Sequence, residues 1–383
     1  MKGDWVLLGC TGLALLVVPW TVLAATGATL PEMPPPTQAG SLSASVHSPG
    51  EAASQSWQTT IIPGGLSGSS QEQEPPAAPA SRVTTVEVES QPVEEYLAKT
   101  GSFRVLDRTT GKVGEISVKD YVRGAIAAEM PASFHSEALK AQGVAALTYA
   151  LYHHDQQLQN PDPALLGADF SADPQKREGY MTEKQAKKFY GDNWQYNWDK
   201  VTKAADEAMQ YVVLYQNQPI AAAYHAISTG TTEDAANIWQ QPLPCLLPVE
   251  SGGDILAKDY RTTVTFSQSE IKERLKDAQV ELLPNADTWF QIETRSDSGY
   301  VTQVRVGNQT MTGNQLRNLL GLRSSSFQIE RQGKDFLFYV CGYGHGAGLS
   351  QNGADYMARQ GSSFVEILEH YYQGGKVTKV KLP

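Results

Sequence analysis

Apolar residues crowd the first thirty positions, thin out, and return in periodic runs from about Val93 onward. No charge falls between Asp4 and Glu32, and the run WVLLGCTGLALLVVPWTVLAATG within it matches the roughly 20 apolar residues of a bilayer-spanning helix. Residues 1–30 are therefore expected to form a membrane segment. It is either a retained single-pass anchor or a cleaved signal, because VLAATGA offers the small residues a signal peptidase accepts. Residues 31–92 are dominated by proline, serine, glycine and glutamine, a composition with too little apolar area to offset ordering entropy. They read as a disordered tether, spanning on the order of 45 Å as a coil.

From 93 to 383 the pattern is that of a folded domain. FRVLD and GEISV around RTTGK predict a hairpin with Thr110 and Gly111 near its turn. QYVVLYQNQPIAAAYHAIS reads as strand, turn and strand around Asn217, Gln218 and Pro219. YRTTVTFSQSEIKERLKD predicts a strand leading into a capped helix, and strands around Asp297, Ser298 and Gly299 precede another helix. Strand and helix runs mingle without regular βαβ spacing, so the fold class is α+β, mixed helices and strands around a cleft.

One helix carries a misplaced charge. Ser117 followed by Asp120 is a capping-box pattern, and Pro131 disfavours helical geometry at Met130, which predicts a helix over 118–130. Projected at about 100° per residue, Val118, Val122, Ala125 and Glu129 form one stripe, flanked by Tyr121 and Ala128. Glu129 thus sits on the apolar face. Desolvation, apolar neighbours and the negative end of the helix dipole all favour its protonated form. Such a carboxyl is either a general acid or a structural group paired with a buried cation. The next segment, ASFHSEALKAQGVAALTYALYHH, is rich in small residues on nearly every face and reads as a buried helix capped by Ser133 or Ser136. Lys140 and Gln142 interrupt it and need partners, from the core or from a ligand hydroxyl.

Composition narrows the chemistry. A net charge of −10 with a pI near 5.3 argues against nucleic acid, whose phosphates need a basic face. Cys10, Cys245 and Cys341 form no CxxC pair and no disulfide framework. No HExxH or other zinc motif occurs, nor a GxSxG elbow, so neither metal nor cofactor is expected.

Two further polar groups stand out. In YHAISTGTTEDAANIW a strand delivers His225, and Ser228, Thr229 and Gly230 form a small-residue turn that suits either ligand contact or an ordinary strand end and cap. In FLFYVCGYGHGAGLSQNGADYMARQG a strand over 336–341 enters a loop with glycine at 342, 344, 346 and 348 around His345, before a helix opening near Ser350 and Gln351. Alternate glycines allow close approach of a ligand to the backbone, or simply a tight corner about a core histidine.

Taken together, VKDYVRGAIAAEMPASFHSEALKAQGVAALTYAL, AAAYHAISTGTTEDAANIW, LPVESGGD and GYGHGAGLSQNGADYMARQGSSFVEILEHYYQG resemble, in order, the catalytic domain of the SpoIID/LytB amidase-enhancer family. The resemblance implies a peptidoglycan lytic transglycosylase of septal and engulfment wall remodelling during sporulation. Its substrate would be glycan strands stripped of peptides by a partner cell-wall amidase, and its location the mother-cell membrane, facing the intermembrane space beside other membrane engulfment proteins. It also implies that Glu129 is the catalytic acid, with Lys140, Gln142, His225, Ser228, Thr229, Gly230, His345, Ser350 and Gln351 binding substrate. The family usually reads KAQAVAARTYAL, so Gly143 and Leu147 are departures here, and Leu147 removes a charge. Some relatives bind zinc through a cysteine and a histidine after the long helix. LLGADFSADPQKREGYMT has neither, so no zinc is expected. A different class, a non-catalytic glycan-binding enhancer of an amidase, fits the same polar residues.

Overall fold

A computed structural model describes residues 100–380; the expected membrane segment (1–30) and tether (31–92) lie outside the described residues. The hairpin forms as expected: β1 (Ser102–Asp107) pairs antiparallel with β2 (Lys112–Ser117), and Gly111 takes the positive φ of 68° that the turn needs. Asp107 Oδ1 closes the turn by accepting from the N–H groups of Thr109 and Thr110. The chain then enters α1 (Val118–Glu129), where Ser117 accepts from the Asp120 N–H as N-cap, and leaves it at an extended Met130 ahead of Pro131.

α2 (Ser136–Gln159) is the central helix, with Ala138, Leu139, Ala141, Val144, Ala145, Leu147 and Leu151 all buried. Its cap is His135 rather than either serine. The Asp355 carboxylate accepts from the His135 N–H at 2.6 Å, and the backbone there is extended, so the ring nitrogen faces the Glu137 N–H. A short β3 (Phe170–Ala172) then joins β1 in parallel, followed by α3 (Glu183–Tyr190) and α4 (Trp194–Ala208).

The segment expected as strand, turn and strand is shorter than its pattern. β4 (Tyr211–Tyr215) turns at Gln216 and Asn217, both at positive φ, into β5 (Gln218–Pro219), which ends after two residues. Pro219 lies opposite Leu214, and the Ile220 N–H still donates to the Val213 carbonyl at 3.3 Å before the pairing ends. Ile220 to Ala223 instead make tight turns, with the Ala222 and Ala223 N–H groups donating two residues back. β6 (Tyr224–His225) therefore belongs to a different ribbon.

A short α5 (Ala235–Trp239) follows, and residues 261–341 then build a second core of their own. β7 (Arg261–Ser267) leads through a capping box at Ser267 and Glu270 into α6 (Gln268–Leu275). β8 (Phe290–Arg295), β9 (Val301–Val306) and β10 (Gln309–Met311) form one antiparallel sheet, followed by α7 (Gly313–Leu320). β11 (Ser326–Gln332) and β12 (Asp335–Cys341) complete the other sheet with β7. Phe266, Val304, Leu316, Phe327 and Phe338 fill the space between.

The chain then returns to the first core. β13 (Leu349–Ser350) pairs in parallel with β6, matching Leu349 to Tyr224 and Ser350 to His225. α8 (Gln351–Arg359), α9 (Phe364–Tyr371) and β14 (Lys376–Lys379) follow, and β14 pairs with β4. The first core thus contains Ile367, Leu368, Tyr371 and Val380 beside α1 and α2. Among the described residues no helix is long and apolar enough to cross a membrane. Cys245 is buried and Cys341 half-buried, both as free thiols.

Candidate active site

Glu129 lies in the last turn of α1, half-buried, where three segments distant in sequence converge. Gly124 sets one of them. Its carbonyl accepts from the Met181 N–H at 3.0 Å, and a Cβ on residue 124 would lie 2.2 Å from the Met181 carbonyl oxygen. Only glycine permits that approach. It brings residues 178–181 along α1, so that the Gly179 N–H donates to the Glu129 carboxylate.

The second segment is the start of α8. Ser350 caps that helix, and Gln351, 5 % exposed, donates from its amide to Glu129. The same Gln351 Nε2 donates to Gln142 Oε1 at 3.2 Å. Gln142 is fully buried on α2, and its own Nε2 has no hydrogen-bond partner. The third segment is β6, whose alternation sends Tyr224 toward Glu129 and His225 the other way. Tyr121 and Tyr224 both feel the Glu129 charge, and Tyr149 couples to both.

These neighbours decide the acidity. Burial pushes the Glu129 carboxyl up, the N–H groups of Gln351 and Gly179 pull it back, and the Glu178 carboxylate adds a smaller upward push. The outcome is a pKa of about 7. Among the described residues no cation acts on it, and the Glu178 carboxylate is itself paired with Arg108. A carboxyl of this acidity can hold or release a proton near neutral pH, and the partly exposed Tyr224 lies within its field.

Comparison with known proteins gives this geometry a setting. The family described as stage II sporulation protein (SpoIID) matches residues 107–215. Stage II sporulation protein D of Bacillus amyloliquefaciens is 34% identical over 267 residues, 70% of this chain and 76% of that protein. The chain belongs to the stage II sporulation protein D family. The Bacillus subtilis (strain 168) protein of the same name is 31% identical over 292 residues, 76% of this chain and 82% of its own. More distantly, a Bacillus subtilis (strain 168) protein named amidase enhancer is 24% identical over 316 residues, covering 67% of this chain and 40% of that protein. SpoIID family membership ties the chain to sporulation.

Within this SpoIID domain the expected site residues do not all come together. Glu129, Gln142 and Gln351 stand together. Lys140 lies elsewhere: it is about 160° around α2 from Gln142 and pairs with Glu137 at 2.8 Å and with Glu207. Ser228 and Ser350 are fully buried and donate to Asp254, at 2.5 and 2.8 Å, as does Ser251 at 2.9 Å. Thr229 donates to Ser298 O at 2.7 Å and its carbonyl accepts from Tyr260 Oη at 2.8 Å. Gly230, at φ 103°, donates to Ser228 Oγ at 3.1 Å. These residues tie the two cores together rather than meeting Glu129.

The histidines brace the glycine loop. His225 Nδ1 donates to the Ala347 carbonyl at 3.0 Å, while His345 Nδ1 accepts from the Ala347 N–H at 3.1 Å. Burial holds His225 near a pKa of about 4 and His345 well below the usual imidazole value, so both are neutral. The four loop glycines all have positive φ, and Cβ atoms at 344 and 348 would strike His225 and the Ala223 carbonyl. The loop is a tight corner, and it delivers Ser350 and Gln351 to their places. Trp239 is half-buried against the first core, its ring 5.1 Å from His345.

Leu147 is fully buried, about 140° around α2 from Gln142. A charge at this position would therefore be buried in the first core. Sequence reasoning missed Gly179, Tyr224 and Asp254. A signal existed for Tyr224: in a strand bearing His225, the neighbouring residue must face the other side. None existed for Gly179, whose role depends on the approach of two backbones.

Proposed function

We propose that the domain is a lytic transglycosylase that cleaves the bond between N-acetylmuramic acid and N-acetylglucosamine in peptide-free glycan strands. The observation that carries this reading is a single half-buried carboxyl, Glu129, held at a pKa of about 7 by burial and two N–H donors. Glu129 donates its proton to the glycosidic oxygen, and the bond from muramoyl C1 to that oxygen breaks. The muramoyl C6 hydroxyl then attacks C1 as its proton passes to the Glu129 carboxylate. A 1,6-anhydro ring forms, and the acid is regenerated without water. The nucleophile belongs to the substrate, so a second carboxylate to activate water is not required. Tyr149, Tyr180 and Tyr224 offer ring faces and hydroxyls to the sugars.

The charge-free run at 5–31 and the tether to residue 92 support a place at the cell membrane, with the domain searching the adjacent wall during engulfment. A cell-wall amidase would supply the stripped strands. The relative named amidase enhancer favours a second reading, a glycan-binding protein that stimulates an amidase without chemistry of its own. One experiment separates them: residues 93–383 and their Glu129→Gln variant are incubated with amidase-treated glycan strands, and products are read by mass. Anhydro products from the wild type alone support the enzyme. Binding without products favours the enhancer, and products from the variant remove Glu129 from its role.

A further inference from the structure

The outer side of α3 carries positive charge that the protein does not balance. Residues 176–188 hold five cations against Glu178 and Glu183, in a chain whose net charge is −10. Glu178 is taken by Arg108 and Lys176 by Asp173, which leaves Arg177, Lys184, Lys187 and Lys188 without a carboxylate partner among the described residues. Lys184 and Lys188 lie about 40° apart around α3, on the side away from the buried Ala186, and Lys187 flanks them. Like charges one turn apart repel, so the helix itself gains nothing from this spacing.

Aromatic rings border the same surface. On one flank Phe189 is 50% exposed, with the Arg177 guanidinium 4.5 Å from its ring centre. On the other, Lys187 Nζ lies 5.9 Å from the ring of Trp194, which is half-buried and stacked at 5.1 Å on Trp198 of the first core. Measured across the lysines, Phe189 and Lys187 are about 200° apart, so the two rings stand on opposite sides of a ridge of charge. The mount is fixed. Gln185 Nε2 donates to the Pro174 carbonyl at 2.9 Å, Thr182 caps α3, and the Met181 N–H just before it donates to Gly124 of α1, the helix that ends in Glu129.

We propose that this face of α3 is a second binding surface for the peptide-free glycan strand, which it selects by the carboxylates that an amidase exposes. The inference rests on the substrate proposed above. Hydrolysis of the amide that joins muramic acid to its peptide leaves a carboxylate on that sugar, so a stripped strand alternates a charged sugar with a neutral N-acetylglucosamine. The lysines meet the charged sugars, and the rings of Phe189 and Trp194 accept the apolar C–H faces of the pyranoses. An anionic lipid surface fits less well. The exposed residues of α3 are Glu183, Lys184, Lys187, Lys188 and Phe189, too few apolar groups to enter a bilayer.

The test measures binding of fluorescently labelled strands to the full chain in neutral detergent, with Glu129→Gln throughout so that strands stay whole. Two probes are compared: amidase-treated strands, and the same strands with their carboxylates converted to methylamides. Lys184→Gln, Lys187→Gln and Lys188→Gln are combined, with folding confirmed by near-ultraviolet circular dichroism. Lys272→Gln, Lys276→Gln and Lys334→Gln make the same change of charge on the second core. The α3 triple should weaken the carboxylate strand about tenfold and leave the methylamide strand unchanged. Phe189→Ala should weaken both about fivefold. The control triple should alter neither, nor should Tyr196→Ala, which is 74% exposed but about 160° around α4 from Trp198. Unchanged strand binding in the folded α3 triple, or an equal loss for both probes, overturns the proposal. Should that triple instead lose only its association with micelles containing phosphatidylglycerol, the face belongs to a lipid surface and the proposal falls. If binding behaves as expected while the chain with Glu129 intact yields no anhydro products, the surface stands and the enzymatic reading falls; products without any effect of the α3 variants give the reverse.

Discussion

Replacing Glu129 by glutamine should make the domain more stable at alkaline pH, and the size follows from its surroundings. The folded protein raises this carboxyl from 4.5 to about 7. Between those values the folded state holds a proton that the unfolded chain has released, so stability falls as pH rises. The contribution is fully present below about 4.5 and gone above about 7. At about 1.4 kcal/mol per unit the full swing is on the order of 3 kcal/mol. Glutamine occupies nearly the same volume, accepts from the same N–H donors and does not titrate. Urea unfolding of wild type and Glu129→Gln, at several pH values from 4.5 to 9, isolates the effect. The variant should gain on the wild type by about 2–3 kcal/mol across that range, most of it between pH 5 and 7. Comparing the difference across pH removes any constant packing change. A flat difference, or a wild type that gains on the variant as pH rises, would refute the account of Glu129 as a carboxyl strained by burial.

Other outcomes follow from the same geometry. Gly124→Ala should displace the loop at Met181, cost about 2–3 kcal/mol in urea unfolding and move the Glu129 titration upward, because the Gly179 N–H retreats with the loop. Lys140→Met should cost about 1 kcal/mol, with cleavage of glycan strands unchanged, since Lys140 pairs with Glu137 and Glu207. Asp254→Ala should destabilise the domain by on the order of 4 kcal/mol, read by denaturation, because Ser228, Ser251 and Ser350 lose a buried acceptor. In a pH profile of glycan cleavage, kcat/KM should fall about tenfold per unit above about pH 7, as Glu129 loses its proton.

The sequence by itself determined the local elements and the position of the acid. Capping at Ser117 and the stop at Pro131 fix the length of α1, and helical periodicity then puts Glu129 on the face of Val118, Val122 and Ala125. The same local rules gave the hairpin at Gly111 and the capped helix after β7. These features depend on neighbours a few residues apart, which is why a linear pattern carries them. Long-range pairing decided the rest. The polar residues parted ways: Gln142 and Gln351 meet beside Glu129, whereas Ser228 and Ser350 converge on Asp254 and Lys140 turns to Glu137 and Glu207. Hydrogen bonding does not depend on separation along the chain, so no periodicity distinguishes a serine that locks two cores from one that meets a sugar. The acidity of Glu129 is likewise a tertiary property. Burial raises it, but the N–H groups that moderate it come from residues 179 and 351, brought there by a glycine too small to hold α1 and its neighbour apart and by a two-residue parallel ribbon.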